Sequence, residues 1–198
     1  FIYGTLGLHP HDAKEFTPEF LESIKSHLST PKIVAVGEIG LDYYKNYSPR
    51  DVQKEVFTQL AKMAINHNKP IVIHSREAIS DTLDILAKLN AKDVVFHCFT
   101  GTFKESQQIL EQGYLISFSG VLTYLKNQEL EKAAQTIPLD RFFLETDAPF
   151  LTPTPMRGKR NEPSYISYTA QKMALLKNLS LEEVILAANT NAKRFFRI

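Results

Sequence analysis

The chain has 198 residues, 43% of them hydrophobic, which is enough for one domain with a full core. Its 23 basic and 22 acidic residues give a formal charge of +1, so phosphate binding would have to come from a local cluster. A single cysteine excludes an intrachain disulfide, and no apolar run approaches the length of a membrane span.

Apolar runs rich in β-branched residues alternate with stretches of helical period along the chain. Thr17-Pro18 and Ser48-Pro49 are typical helix starts, because an N-cap side chain is followed by proline. Ser180 and Glu183 have the spacing of a capping box. The pattern predicts strands at residues 2–7, 33–39, 70–73, 94–96, 114–117 and 142–144, and helices at about 17–28, 48–67, 78–89, 104–112 and 125–135, with two more at the C-terminus.

The alternation of strands and helices is typical of a parallel sheet covered by helices. A complete (β/α)₈ barrel has eight strands and about 250 residues. We therefore predict an α/β fold of the TIM-barrel type that lacks its first one or two β/α units, in a single domain over residues 1–198. The sequence opens inside a predicted strand without Met, so we expect an N-terminal piece to be missing. The alternative is a doubly wound open sheet, although its Gly-rich phosphate loop is not found.

Four predicted strands finish in a residue that can bind a metal: Glu38, His74, His97 and Asp147. Because the carboxyl ends of parallel strands meet on one face, we expect these side chains to converge. Nitrogen and oxygen ligands without thiolate suit Mg²⁺, Mn²⁺ or Zn²⁺ and do not choose among them. Such a set is suited to metal-dependent hydrolysis at phosphorus. The alternative is a group of buried polar residues satisfied by their neighbours.

Basic residues near the predicted strand ends are candidates for binding substrate. Arg157, Lys159 and Arg160 form a dense cluster in a Pro-rich loop, residues 148–163, and could bind backbone phosphates or form an ordinary solvated loop. Arg76 could contact phosphate or make a salt bridge. His9 could contact a substrate phosphate or a water beside the metal, or support the site structurally.

Several runs of the chain resemble motifs of the TatD family of metal-dependent deoxyribonucleases, in the order of that family. The resemblance implies a TIM barrel with a divalent-metal site, in an enzyme that hydrolyses phosphodiester bonds of DNA, and sometimes of RNA, from the 3′ end. Family members are typically cytoplasmic. The runs are Gly7-Leu8-His9-Pro10-His11, Gly37-Glu38-Ile39-Gly40-Leu41-Asp42, His74-Ser75-Arg76, His97-Cys98-Phe99-Thr100-Gly101, Glu145-Thr146-Asp147-Ala148-Pro149 and Arg157-Gly158-Lys159-Arg160-Asn161-Glu162-Pro163.

The resemblance also implies roles for individual residues. Glu38 would bridge two metal ions, His74 and His97 would bind one of them, and Asp147 would bind the other and orient or deprotonate the attacking water. Glu38 and Asp147 are thus the predicted catalytic residues. We expect Mg²⁺ first, with Mn²⁺ and Zn²⁺ as alternatives. The expected partner is the end of a single-stranded DNA or an RNA, without a membrane partner, and we favour a monomer.

The chain departs from the family at one point. The family's first strand ends in a His-x-His pair that binds the second metal, whereas His9-Pro10-His11 matches a later motif. Either the chain is a fragment of an active enzyme, or it holds one metal poorly and is inactive. Two other functions remain open: a small-molecule amidohydrolase or lactonase on the same scaffold, and a non-catalytic scaffold protein.

Overall fold

The computed structural model describes residues 2–125 and 127–198, which form two compact units. The first unit runs to Phe96 and includes Phe195–Arg197, and the second consists of His97–Arg194 with Ile198. The single domain expected over residues 1–198 stays a prediction. None of the described helices combines the length and the apolar composition that crossing a membrane requires.

The first unit is a parallel sheet with helices between its strands. Strands β1 and β2 pair with each other, β2 pairs with β3, and β3 pairs with β4. Its elements are β1 (Gly4–Leu6), a 3₁₀ turn (Pro10–Glu15), α1 (Pro18–His27), β2 (Ile33–Asp42), α2 (Arg50–Asn66), β3 (Ile71–Arg76), α3 (Ile79–Lys88) and β4 (Val94–Phe96).

The second unit continues the alternation, with two short strands that pair in parallel. Its elements are α4 (Phe103–Glu111), β5 (Leu115–Phe118), a 3₁₀ turn (Gly120–Thr123), α5 (Gln128–Thr136), β6 (Phe142–Leu144), a 3₁₀ turn (Pro163–Tyr165), α6 (Ile166–Lys177) and α7 (Leu181–Phe196). The predicted helix at 125–135 begins later than expected, at Gln128, and Lys126 lies outside the described residues.

Helix starts follow the local sequence in two of three predicted cases. The Thr17 hydroxyl oxygen accepts a hydrogen bond from the Phe20 N–H at 3.2 Å and caps α1. Ser180 caps α7 in the same way through the Glu183 N–H, also at 3.2 Å. The predicted Ser48 cap of α2 was wrong, because the Ser48 hydroxyl instead donates to the His11 carbonyl at 2.7 Å.

Large side chains fill the interior of each unit. In the first unit, α2 turns Phe57 and Leu60 inward, with 1% and 0% of their surface exposed. In the second unit, Ile109, Phe118 and Phe142 are fully buried. Burial of such side chains contributes roughly 1.5–3 kcal/mol each, which makes these cores the main source of stability.

Strand β2 is longer than the sequence predicts and carries the bulge that shapes the site. Val36 pairs with Ile71 and Ile39 with Ile73, so three steps along β2 match two along β3. Pairing then continues to Asp42, opposite Arg76. Glu38 therefore lies at a bulge inside β2, not at the end of the strand as expected, because the longer-range pairing with β3 resumes beyond it.

Gly40 lies where β2 has no room for a side chain against β3. It has a φ of +143°, and a Cβ added there would lie 2.0 Å from the His74 carbonyl oxygen. Gly113, after α4, has a similarly positive φ of +80° but open space around it. A comparison of the two glycines therefore separates the cost of a positive φ from the cost of a steric clash with the neighbouring strand.

We expect Gly40→Ala to lower the free energy of unfolding by about 3 kcal/mol or more, since it adds a clash to an unfavourable φ. Gly113→Ala should lose only about 1–2 kcal/mol, from backbone conformation alone. Urea unfolding followed by circular dichroism measures both. Equal losses in the two variants would show that the close approach of β2 and β3 is not a constraint.

Candidate metal centre

Three side chains of the first unit bring potential metal ligands together. His9 follows β1, Glu38 lies at the bulge of β2, and His74 lies in β3. One ligand atom from each lies within 4.8 Å of the other two, and all three residues are partly buried. Glu38 and His74 belong to the predicted metal set, whereas His9 was expected to contact substrate. Two imidazoles and a carboxylate form a donor set that fits a divalent cation.

Asp42 is a site residue that sequence reasoning missed. It ends β2 with 1% of its surface exposed. Its Oδ2 accepts hydrogen bonds from Nε2 of His11 at 2.9 Å and from Nε2 of His74 at 3.0 Å. Burial alone would raise the pKa of Asp42, but the backbone N–H of Lys45 and the two histidines outweigh it and lower the pKa. A carboxylate ending an otherwise apolar strand was the available signal.

The bond to Asp42 determines which nitrogen of His74 can bind a metal. Because Nε2–H donates to the carboxylate, the lone pair of the neutral ring lies on Nδ1. A carboxylate behind a histidine fixes the tautomer and ring orientation and raises the basicity of the metal-binding nitrogen. Asp42 therefore orients the His74 ring so that Nδ1 would be the nitrogen that binds a metal.

His9 is a partly buried imidazole next to two other histidines. Its ring centroid lies 4.3 Å from that of His11 and 4.4 Å from that of His74, both edge to face. Burial, with the neighbouring His74 and His11, lowers the pKa of His9 from 6.5 to about 4, against the opposing effect of Glu38 and Asp42. A neutral imidazole is the form that binds a metal or accepts a proton.

The second unit repeats the pairing of a histidine with a carboxylate. His97 follows β4, and its Nδ1–H donates to Oε2 of Glu145 at 2.7 Å. The other ring nitrogen, Nε2, lies 4.0 Å from Oδ1 of Asp147. Glu145 also accepts from the Cys98 N–H at 2.5 Å.

The electrostatics of Glu145 match those of Asp42. Burial would raise the pKa of Glu145, but hydrogen bonding and attraction from His97, with further bonds from Ser117 and Cys98, lower it. Glu145 is thus a charged acceptor that holds His97 with Nε2 toward Asp147. Asp147 itself has a left-handed backbone, with a φ of 56°, a conformation that Asp tolerates better than most residues. The metal-binding roles of Glu38, His74, His97 and Asp147 stay predictions.

The predicted substrate residue Arg76 is held by an aromatic ring. Its guanidinium carbon lies 3.7 Å from the centroid of the Tyr44 ring, and both residues are exposed. Stacking orients the plane of the guanidinium, which leaves its edge able to form two parallel hydrogen bonds to an anion.

The Pro-rich loop at residues 148–163, here called the basic loop because it carries Arg157, Lys159 and Arg160, is ordered by contacts within the second unit. Arg157 stacks on Tyr124 at 4.0 Å, whereas Lys159 and Arg160 project into solvent. Arg160 lines an open pocket together with Ala148, Pro149, Asn161, Glu162 and Pro163. The pocket therefore has one positive side chain, Arg160, and one negative side chain, Glu162, and it begins one residue after Asp147 in the sequence. Phosphate binding by these residues stays a prediction.

The chain belongs to the metal-dependent hydrolases, and parallel strands with functional side chains at their ends are typical of enzymes built on an α/β barrel. Within that class, the chain belongs to the TatD family. The family described as "TatD related DNase" matches residues 1–197.

Relatives with known sequences agree with this assignment. A protein of Bacillus subtilis named "uncharacterized metal-dependent hydrolase YabD" is 44% identical, and the match covers 100% of this chain and 78% of that protein. A protein of Erwinia tasmaniensis named "3'-5' ssDNA/RNA exonuclease TatD" is 35% identical, with 100% of this chain and 79% of that protein covered.

Solved structures confirm the predicted fold class. The crystal structure of YJJV, a TatD homologue from Escherichia coli K12, superposes with a TM-score of 0.94 at 27% identity, over 99% of this chain and 77% of that one. A TatD family hydrolase from Entamoeba histolytica gives a TM-score of 0.88 at 26% identity, over 98% and 74%. The α/β fold is a partial TIM barrel.

We expect Asp42→Asn to weaken binding of Mn²⁺ about 10- to 100-fold, because the amide no longer holds His74 as a charged acceptor. Isothermal titration calorimetry of the chelator-treated protein measures the affinity. Asp81→Asn is the matched control, since Asp81 accepts from the Tyr43 hydroxyl at 2.6 Å and pairs with Lys54 at 2.7 Å. Wild-type affinity in the Asp42 variant would contradict this role.

His9 should titrate near pH 4 in the metal-free protein, and ¹H–¹⁵N NMR of the imidazole measures this directly. Because the folded pKa lies below the unfolded value of 6.5, the unfolded chain takes up the proton first as the pH falls. Stability should therefore decline between about pH 6.5 and 4, and His9→Gln should make that decline shallower. Titration of His9 near 6.5 would contradict its burial among the other histidines.

Proposed function

We propose that this protein is a divalent-metal-dependent nuclease that hydrolyses phosphodiester bonds of single-stranded DNA, and of RNA, from the 3′ end. The observation that carries the proposal is the convergence of His9, Glu38 and His74 within 4.8 Å, with Asp42 behind His74. The family description as a DNase and the exonuclease name of the Erwinia tasmaniensis relative support the same activity. By the family resemblance, the protein would act in the cytoplasm, and we favour a monomer.

The donor set fits the expected metal chemistry. Glu38, His74, His97 and Asp147 are the proposed ligands, and Mg²⁺ is the first candidate, with Mn²⁺ and Zn²⁺ as alternatives. A divalent cation held there would lower the pKa of water and polarise the phosphoryl oxygens, in the way that makes two-metal sites effective on phosphodiesters. His9 lies beside Glu38 and His74 and is placed to bind either the cation or a substrate phosphate.

The chain's own residues would divide the remaining work. Asp147 would accept a proton from the attacking water, because its carboxylate lies beside His97. Glu145 and Asp42 would hold the two ligand histidines in place. Arg76, flat on Tyr44, would bind a non-bridging phosphate oxygen.

The basic loop would hold the strand without reading its sequence. Arg157, Lys159 and Arg160 are exposed cations within four residues of one another. Contacts to phosphate position a nucleic acid irrespective of its bases and weaken as salt rises. The proposed activity is accordingly sensitive to salt and tolerant of sequence.

Glu38→Gln should lower nuclease activity at least about 100-fold, because the amide keeps the shape of the side chain but loses the charge that binds a cation. The assay uses protein expressed from its complete gene, Mg²⁺ or Mn²⁺, and single-stranded DNA labelled at its 5′ end, so that trimming from the 3′ end gives a ladder. EDTA should stop the reaction. Asp81→Asn, which changes a carboxylate held by Tyr43 and Lys54, should leave the rate unchanged.

Full activity in the Glu38 variant would overturn the proposal. A wild-type protein that cuts no strand but turns over a lactone or amide would favour the amidohydrolase function instead. A wild-type protein that binds no metal would favour the scaffold function.

A further inference from the structure

Phe150 is a large apolar side chain placed on the surface, with 67% of the residue exposed. It lies between β6 and α6, three residues after Asp147. A single exposed apolar residue is normal in a folded protein. The way the ring is held, and the charges beside it, distinguish Phe150 from other exposed residues.

The backbone of Phe150 is fixed on both sides. Its N–H donates to the Asp147 carbonyl at 2.8 Å, and its carbonyl accepts from Nδ2 of Asn161 at 2.5 Å. Asn161 is only 3% exposed, and the same Nδ2 donates to the Thr146 carbonyl at 2.6 Å. The ring is therefore projected into solvent from a rigid segment, so that little flexibility is lost when something packs against it.

The loop segment that follows Phe150 carries a net positive charge. Between Pro149 and Pro163 the chain has basic side chains at Arg157, Lys159 and Arg160 and an acidic one at Glu162. Arg160 and Pro149, the residue before Phe150, line the same open pocket. Such a segment attracts a polyanion, and the ring of Phe150 is then available for an apolar contact with it.

An exposed aromatic ring within a basic surface is how proteins bind single-stranded nucleic acid, because every base has a face that can stack. A base paired in a duplex does not offer that face. We propose that Phe150 is a stacking platform for an unpaired base of the substrate, with Arg160 binding a neighbouring phosphate. This inference rests on the proposed nuclease function and makes recognition depend on the presence of a base, not on its identity.

The test compares a thymidine oligonucleotide with a strand of equal length in which abasic tetrahydrofuran residues replace the nucleosides near the 3′ end. Fluorescence anisotropy in EDTA measures binding, and initial trimming rates in Mg²⁺ measure turnover. The variants are Phe150→Ala, Phe150→Leu and Phe150→Trp. Leu175→Ala is the control, since Leu175 is 79% exposed on α6, away from the basic loop in sequence.

Wild type should bind the base-containing strand more tightly than the abasic strand. Phe150→Ala and Phe150→Leu should lose about 5- to 100-fold in affinity for the base-containing strand, whereas Phe150→Trp should stay close to wild type. All variants should bind the abasic strand like wild type. Melting temperatures should not change, because the exposed ring contributes little to the core.

Wild-type binding that is equal for the two strands would overturn the platform, as would a Phe150→Ala variant that keeps the preference for bases. A large drop in the melting temperature of Phe150→Ala would show that Phe150 stabilises the fold by packing, which would also overturn the platform. If wild type binds bases through Phe150 but trims no strand, the proposed nuclease function is wrong and the proposed stacking role of Phe150 stands. The two proposals therefore fail in distinguishable ways.

Discussion

A buried carboxylate at the end of β2 sets the arrangement of the first unit around it. Asp42 is 1% exposed, and a charge at such a position costs several kcal/mol unless hydrogen bonds surround it. The donors are His11, His74 and the Lys45 N–H, while the Asp42 N–H itself donates to Gln53 of α2 at 2.8 Å. One desolvated charge thereby fixes the 3₁₀ turn and β3 in relation to β2, and the backbone N–H of the same residue fixes α2.

The second unit also contains a carboxylate that accepts a hydrogen bond from a histidine. Glu145 is held by His97 and by the Cys98 N–H, and its pKa is lowered although burial would raise it. In both units a carboxylate accepts a hydrogen bond from one ring nitrogen of a histidine, so that the lone pair of the neutral ring lies on the other ring nitrogen. The pKa of His9 is lowered by burial and by the neighbouring histidines, which keeps this ring neutral near pH 7.

The sequence predicts the parts of the fold that depend on local signals. Val94–Phe96 and Phe142–Leu144 are strands with the predicted bounds, and Thr17 caps α1 as its position before Pro18 indicates. The placement of Glu38 was wrong because a bulge depends on pairing with a strand more than thirty residues away. Asp42 was missed because its burial follows from the same distant pairing. The convergence of all four predicted ligands stays a prediction.

The distribution of charge argues that a metal ion and a nucleic-acid substrate would strengthen each other's binding. The histidine cluster of the first unit contains the carboxylates of Glu38 and Asp42, and the low pKa of His9 prevents that ring from offsetting them near pH 7. A divalent cation would offset the two negative charges that repel a phosphodiester, so each ligand should strengthen the binding of the other. The cations proposed to bind nucleic acid lie elsewhere, on Arg76 and the basic loop. In the proposed function, the β-strands would hold the anionic groups in fixed geometry, while exposed side chains would bind a nucleic acid of any sequence.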